Sequence, residues 1–186
     1  LVMAESFDQI RPMLDVASCN DYSVKVIGCK DEALAHVIAY RPDALIVACD
    51  ELDEFTLHEM RKVTDIQPVP VVVFTSDNDD KSIHEAVRCG ASAYVVNCSD
   101  PGRLDSLLGV AKARFEEVMQ LKTELRQTRM ALQERKVIER AKGIIMKSRS
   151  LSEEQAYSAM RKLAMNQNRR ISDIAQQVVE ASKVLM

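Results

Sequence analysis

The chain has 186 residues, enough for one large domain or two small ones, and its 28% charged and 47% apolar residues are the balance of a folded globular protein. Trp is absent, aromatics are 4%, and Gly and Pro number five each, which argues against an all-β sandwich or barrel. The net charge of −3 hides an asymmetry: residues 1–115 carry 11 Lys and Arg against 19 Asp and Glu, whereas residues 116–186 carry 14 against 9.

Taken in chain order, Leu1–Ala4 is a short apolar strand. Ile10, Met13, Leu14 and Ala17 fall at helical spacing over 8–19, with Pro12 early, where a helix tolerates it. Tyr22–Ile27 alternates like a strand. Asp31–Tyr40 puts Ala33, Leu34, Val37 and Ile38 on one helical face, with Asp31 near its start as a cap. Pro42 opens the apolar run Ala44–Cys49, and Phe55–Val63 is helical. Pro70 opens Val71–Phe74, Lys81–Cys89 is helical, and Gly90 sits where a helix stops with positive φ. Ala93–Val96 is a fifth strand, and Pro101 begins a further helix at the first-turn position. Strands alternating with helices over short connections predict a doubly wound parallel sheet of α/β flavodoxin-like type. Ligands and switches in such sheets sit at the carboxyl ends of strands, here Ala4-Glu5, Ala48–Asp50, Thr75-Ser76 and Asn97.

No proline follows Pro101. Val118, Leu121, Leu125, Thr128 and Leu132 keep 3-4-3-4 spacing, flanked by Glu117, Lys122, Glu124, Arg126 and Arg129. Two heptads of coiled-coil seam are predicted, extended upstream by Leu107, Leu108, Ala111 and Phe115, and with them a homodimer. The alternative is an amphipathic helix lying on its own domain. Beyond Leu132 the stripe moves to Val137, Ile138, Ala141, Ile144 and Ile145, with Arg135, Lys136, Arg140, Lys142, Lys147 and Arg149 on the remaining arc.

Ser152 and Gln155 fit a capping box, with Leu151 as its hydrophobic staple. The helix it starts carries Ala156, Met160, Leu163 and Ala164 on one face and ends at Asn166-Gln167-Asn168. Ser172 is expected to cap a third helix with Ile171, Ile174, Ala175, Val178 and Ala181 inward. Three such helices share one small core. Residues 126–170 hold 12 basic and 4 acidic side chains, which suits a polyanion partner or simply a solvated helical surface.

Apolar runs such as Val71–Phe74 fall far short of the roughly 20 residues that span a bilayer, so no membrane association is expected. The chain opens on Leu1 without a basic segment or cleavage site, so a start codon a few residues upstream and no secretory signal are expected. Cys19, Cys29, Cys49, Cys89 and Cys98 are odd in number and widely spaced, and His36, His58 and His84 fall at no ligand spacing from them. Reduced thiols in a cytoplasmic protein without metal or other cofactor are expected.

The strings "RPDALIVACDE", "VPVVVFTSDND" and "VRCGASAYVVN" resemble the third-strand, fourth-strand and fourth-helix/fifth-strand segments of a CheY-like response-regulator receiver domain. A working receiver has an acidic pair after the first strand, a phospho-accepting Asp after the third, a hydroxyl after the fourth and Lys after the fifth. The acids hold Mg²⁺, and the Lys and hydroxyl bind phosphoryl oxygens. Here the acidic pair reads Ala4 and Glu5, the acceptor position is Ala48, the hydroxyl is Thr75 and the Lys position is Asn97. The resemblance therefore implies a pseudo-receiver that is not phosphorylated. A two-residue shift would make Asp50 the acceptor, still without Lys and with half the metal site. Cys49 as a nucleophile lacks a histidine placed to activate it, so no enzyme is expected.

The string "ERKVIERAKGIIMKSRSLSEEQAYSAMRKLAMNQNRRISDIAQQVV" closely resembles the ANTAR domain, carried by Ala141-Lys142-Gly143, Met146, Ala156-Tyr157, Leu163-Ala164-Met165 and Ile174-Ala175. Within that family, "GASAYVV", "DPGRLDSLLGVAKARFE" and "ERAKGIIMK" are similar to the nitrate/nitrite-responsive NasT type. The resemblance implies an RNA-binding transcription antiterminator that binds leader-mRNA stem-loops, prevents terminator formation in nitrate/nitrite assimilation, and is held by a ligand-sensing inhibitory protein partner.

The implied organisation is a receiver-like domain at 1–110, a coiled-coil linker helix at 111–132 and a three-helix ANTAR domain at 133–186. The expected RNA contacts are Arg135, Arg140, Lys142, Lys147, Arg149, Arg161, Lys162, Arg169 and Arg170, with Arg140 and Lys142 foremost and both heads in solvent. Tyr157, the one aromatic of the second module, is expected in the core ahead of a base-stacking role. Met146, Met160 and Met165 are expected in the core, and Gly143 is expected at a close helix approach. Competing readings are a DNA-binding regulator, since three helices also serve helix-turn-helix readers, and a phosphorylation-dependent two-component regulator.

Overall fold

The computed structural model describes residues 1–6, 10–11, 14–15, 22–97 and 101–184. Five short strands, β1 (Val2–Ala4), β2 (Val26–Gly28), β3 (Leu45–Ala48), β4 (Val71–Thr75) and β5 (Ala93–Val96), form one parallel sheet in the order β2-β1-β3-β4-β5. Between them run α1 (Ala33–Tyr40), α2 (Glu54–Ile66) and α3 (Asp80–Arg88). A 3₁₀ turn at Pro101–Arg103 leads into the long α4 (Leu104–Arg149), followed by α5 (Glu153–Asn166) and α6 (Ile171–Val184). The chain divides into two compact units, Leu1–Met119 and Gln120–Met186.

In the first unit the strand order is that of the flavodoxin-like fold. Alternate strand residues point to opposite faces and feed two cores. Met3, Val47, Val71 and Val73 pack with Val37, Met60 and Val63. Val2, Ala4, Ile46, Ala48, Val72 and Phe74 pack with Ile10, Leu104 and Ala111. Burial on both faces explains why β3 and β4 are continuous apolar runs. Asp53 and Asp79 cap α2 and α3 through bonds from the Thr56 and Lys81 amides. Gly90 has φ of 101°, and a Cβ there would run into Thr64.

Several expectations shift. Asp31 does not cap α1; its carboxylate accepts from the Gly28 amide at 2.8 Å and closes the turn after β2, leaving Glu32 as a cap without a side-chain bond. β2 begins only at Val26. Ile38 is exposed, because only Ala33 and Val37 of α1 are fully covered. Pro101 opens a 3₁₀ turn rather than the helix itself. Ile10, Arg11, Leu14 and Asp15 are helical and Ile10 is buried, whereas Met13, Ala17, Cys19 and Cys98 lie outside the described residues.

In the second unit, Ala141, Met160, Ala164, Ile174, Ala175 and Val179 form the core, covered by Val137, Ile138, Ile144, Ile145, Ile171 and Val178. Ser150 and Asn168, both with φ of 52°, turn the chain between helices. The capping box is present: the Gln155 amide donates to Ser152 Oγ and the Ser152 amide to Gln155 Oε1, at 3.2 and 2.9 Å. Ser172 is not a cap. α6 has already begun at Ile171, and the Arg170 carbonyl takes the first bonds, from Asp173 and Ile174. Leu163 and Ala181 are exposed, since the core is too narrow to cover a second row on either helix. No helix among the described residues is long and apolar enough to cross a membrane.

Candidate nucleic-acid interface and receiver pocket

Parallel pairing sets the receiver positions side by side at the carboxyl edge of the sheet. The Glu5 amide donates to the Ala48 carbonyl at 3.2 Å, the Cys49 amide to Phe74 at 3.1 Å and the Asn97 amide to Thr75 at 3.0 Å. Ala48 ends β3 and is 4% exposed. Ala4 is likewise buried at the end of β1, and Glu5 beyond it is exposed. The Thr75 hydroxyl donates to the Asp50 carbonyl at 2.6 Å and accepts from the Asp77 amide at 3.1 Å; Ser76 donates to the same carbonyl. Thr75 is thus bound to backbone on both sides. Asn97 holds a left-handed φ of 49°.

One cation near this edge was not legible in the sequence. Lys30, from the turn after β2, pairs with Asp53 and lies 5.7 Å over the Phe55 ring. Bonds from Lys30 and Thr56 hold the Asp53 carboxyl down to about 2. Burial pushes the Cys29 thiol up to about 11 and Cys49 up to about 12, and both side chains are covered. A covered thiol that resists ionisation is a poor nucleophile, which counts against Cys49 in that role. Among the described residues no cluster of His, Cys, Asp and Glu is placed to hold a metal ion.

In the second unit the cations face water. Arg135, Arg140, Lys147 and Arg149 on α4, Arg161 and Lys162 on α5, and Arg169 and Arg170 between α5 and α6 are all exposed. Of these, Arg170 has a carboxylate nearby, Glu134, at 3.8 Å. Lys142 departs from the expectation that its head reaches solvent. It is 8% exposed, and its ammonium donates to Glu139 on α4 and to Glu153 on the first turn of α5, each at 2.7 Å. Glu139 first and Glu153 second raise its pKa, and it lowers that of Glu153. The reason lies in the helix wheel. Lys142 stands four residues after Ile138 and three before Ile145, both core-packed, so its stem follows them inward.

Two further side chains turn outward against expectation. Tyr157 is 42% exposed and Met165 72%, because α5 gives the core only Ala156, Met160 and Ala164. Tyr157, Arg161 and Met165 follow one another at four-residue steps along the outer face of α5. Gly143 meets no neighbour within 4 Å of where a Cβ would stand, so no close helix approach depends on it. On α4, Val118, Leu121, Leu125 and Leu132 are about half exposed, and Thr128 is exposed between them. Leu125 and Met130 line a shallow groove with Lys122, Arg126, Arg129 and Gln133.

Comparison with known proteins follows the same division. Residues 126–179 match the model of the ANTAR domain family. The "Nitrate regulatory protein" of Klebsiella oxytoca is 43% identical over 74 residues, 39% of this chain and 19% of that protein, so this chain spans about a fifth of that relative. The "Transcriptional regulatory protein PdtaR" of Mycobacterium tuberculosis is 25% identical over 149 residues, 80% of this chain and 73% of that one. Two solved structures share the fold of the first unit. The signal receiver domain of a modulated diguanylate cyclase from Desulfovibrio desulfuricans G20 has a TM-score of 0.51 at 18% identity, covering 62% of this chain and 94% of that one. A signal receiver domain from Mycobacterium tuberculosis has a TM-score of 0.50 at 17% identity, covering 60% and 94%.

Proposed function

We propose that this chain, a response-regulator-like transcription regulator with an ANTAR domain, is an RNA-binding antiterminator whose receiver-like unit is not phosphorylated. The observation that carries the reading is that eight of the predicted contacts, Arg135, Arg140, Lys147, Arg149, Arg161, Lys162, Arg169 and Arg170, are exposed in the second unit, as is Tyr157. Cations neutralise phosphates, and Tyr157 offers a face on which an unpaired loop base stacks. A leader-transcript hairpin held in this way cannot rearrange into a terminator. Similarity to a nitrate regulatory protein over 74 residues favours an operon of nitrate or nitrite assimilation and a ligand-sensing protein partner. The exposed stripe of Val118, Leu121, Leu125 and Leu132 favours a homodimer paired along α4. A receiver-like domain at 1–110, a linker at 111–132 and an RNA-binding domain at 133–186 is the division of labour this reading adopts.

The test is a gel shift of the full chain against its own operon's leader RNA and the matching duplex DNA across a salt series. Salt-sensitive capture of the RNA alone is expected. Equal capture of duplex DNA would replace this reading with a DNA-binding regulator. Acetyl phosphate and Mg²⁺ should leave the mass of the protein unchanged, because Ala48 offers no oxygen to phosphorylate. An adduct on Asp50 that alters RNA capture would overturn the unphosphorylated part.

A further inference from the structure

Lys142 stands apart from every other cation of the second unit. The thirteen other Arg and Lys side chains of that unit are exposed, whereas Lys142 is 8% exposed and holds two carboxylates at 2.7 Å. To meet a phosphate it would have to leave both partners and drag its stem out from among core-packed neighbours. Its place in the fold suits another task. Glu139 is on α4, one turn before Lys142, and Glu153 opens α5 across the Ser150 turn. The ammonium therefore bridges the two helices at the corner where the chain reverses. On one side of that corner stand Arg140, Lys147 and Arg149, and on the other Tyr157, Arg161 and Lys162. Glu153 also sits in the first turn of α5, beside the Ser152–Gln155 capping box, where a carboxylate complements the helix dipole.

We infer that Lys142 is a positioning residue and not an RNA contact: through Glu139 and Glu153 it fixes the corner between α4 and α5, and so the spacing of the exposed cations and tyrosine that meet the RNA. The inference rests on the RNA-binding reading above. It separates two properties that a phosphate contact would join. A lost phosphate contact flattens the slope of log affinity against log salt, by roughly 0.7–0.9 unit per phosphate. A lost positioning bond lowers affinity and leaves the number of released counterions unchanged.

The experiment uses the full chain and leader RNA across a salt series, well below the melting midpoint of every variant, so that the folded fraction is saturated. Lys142→Met keeps the apolar stem and leaves Glu139 and Glu153 half in water, where unpaired carboxylates remain solvated, so the unit stays folded. Its affinity is expected to fall roughly fivefold to tenfold at every salt concentration, at the wild-type slope, about the loss of one positioned bond. Arg140→Ala, the comparison variant, is expected to flatten the slope. The exchanged pair Lys142→Glu with Glu153→Lys restores a bridge across the corner and is expected to recover part of the affinity. Glu153→Gln, which weakens the bridge without touching any cation, should mimic Lys142→Met and stands in for it if that variant unfolds.

A flattened slope for Lys142→Met, matching that of Arg140→Ala, would make Lys142 a phosphate contact and overturn the inference. Wild-type affinity in both Lys142→Met and Glu153→Gln would reduce the bridge to a stability feature and overturn it as well. Failure of the wild-type chain itself to bind leader RNA sinks the RNA-binding reading and this inference with it, an outcome no variant can imitate.

Discussion

The two units treat polar groups in opposite ways. In the first, groups at the carboxyl edge of the sheet are turned on the protein itself: Thr75 on the Asp50 carbonyl and Lys30 on Asp53, with Ala48 buried at the end of β3. In the second, the cations other than Lys142 are held out to water, and a core of four alanines, Met160, Ile174, Val179 and a few partly covered aliphatics supports them. The first unit has the mass of a sheet behind it, with Met3, Leu45, Met60, Val47 and Val71 fully covered. The difference teaches where chemistry can happen. A well-built core with its edge hydroxyl and cation turned on the protein offers a scaffold, whereas a thin core with exposed charge at its surface offers an interface.

The comparison is broken most directly from the core of the second unit. Ile174 is 1% exposed, and Ile174→Ala should cost about 2–5 kcal/mol, a large share of what so small a unit has. Denaturant titration should show the α6 end unfolding early while the sheet keeps its own transition. A single shared transition would show the units to be energetically one.

Next in size is the α4 stripe. Leu125→Lys would place a charge in the proposed seam at a cost of several kcal/mol unless it finds a partner. Sedimentation should change from dimer to monomer, and a wild type that is monomeric with and without RNA would refute the seam.

A smaller effect separates the two covered charges. Glu59 is 1% exposed with Oε1 on Lys62 at 2.7 Å and Oε2 without a partner among the described residues, whereas the carboxylates around Lys142 are half in water. Lys62→Met should therefore lower the melting of the first unit more than Lys142→Met lowers that of the second, because only the former strands a charge in the core. The reverse order, read by calorimetry on the two variants, would sink this account of both charges.

Smallest at neutral pH is the thiol effect. Cys29 and Cys49 ionise at about 11 and about 12 in the fold, against 9.0 ordinarily. Between pH 9 and those values the unfolded chain gives up protons that the folded chain keeps. Stability should fall as pH rises through that window and be indifferent to these groups below it. Iodoacetamide at pH 8 should spare Cys29 and Cys49 in the folded protein and reach them in denaturant; site-resolved mass spectrometry that finds Cys49 modified first would contradict this.

How much of this was legible beforehand depended on whether a feature is local. The strands after Pro42 and Pro70, the Gly90 stop and the Ser152–Gln155 box were readable because each is decided within a few residues by backbone preference or short-range bonding. Asp31 was misplaced because an aspartate near a helix start can bond either forward into the helix or back into the preceding turn, and only the turn geometry chooses. Lys142, Tyr157 and Met165 were misassigned for a shared reason. Each lies next to a core residue in sequence, Lys142 after Ala141, Tyr157 after Ala156 and Met165 after Ala164, and helical periodicity alone does not fix how wide an arc of the helix the core covers. Lys30 left no trace at all, since its partner is 23 residues away on another element.

The buried methyl of Ala48 has one more implication, which concerns time. A receiver that is marked covalently remembers its signal for the lifetime of the mark and needs an eraser to forget it. Position 48 can carry no such mark. Any signal that enters this unit there must arrive as a bound molecule or protein, with a stabilisation that grows only as RT ln(1 + [L]/Kd). If the unit is unphosphorylated, as proposed, such a device has no memory and no clock: its output follows the free concentration of its partner at each moment and decays as fast as that partner leaves.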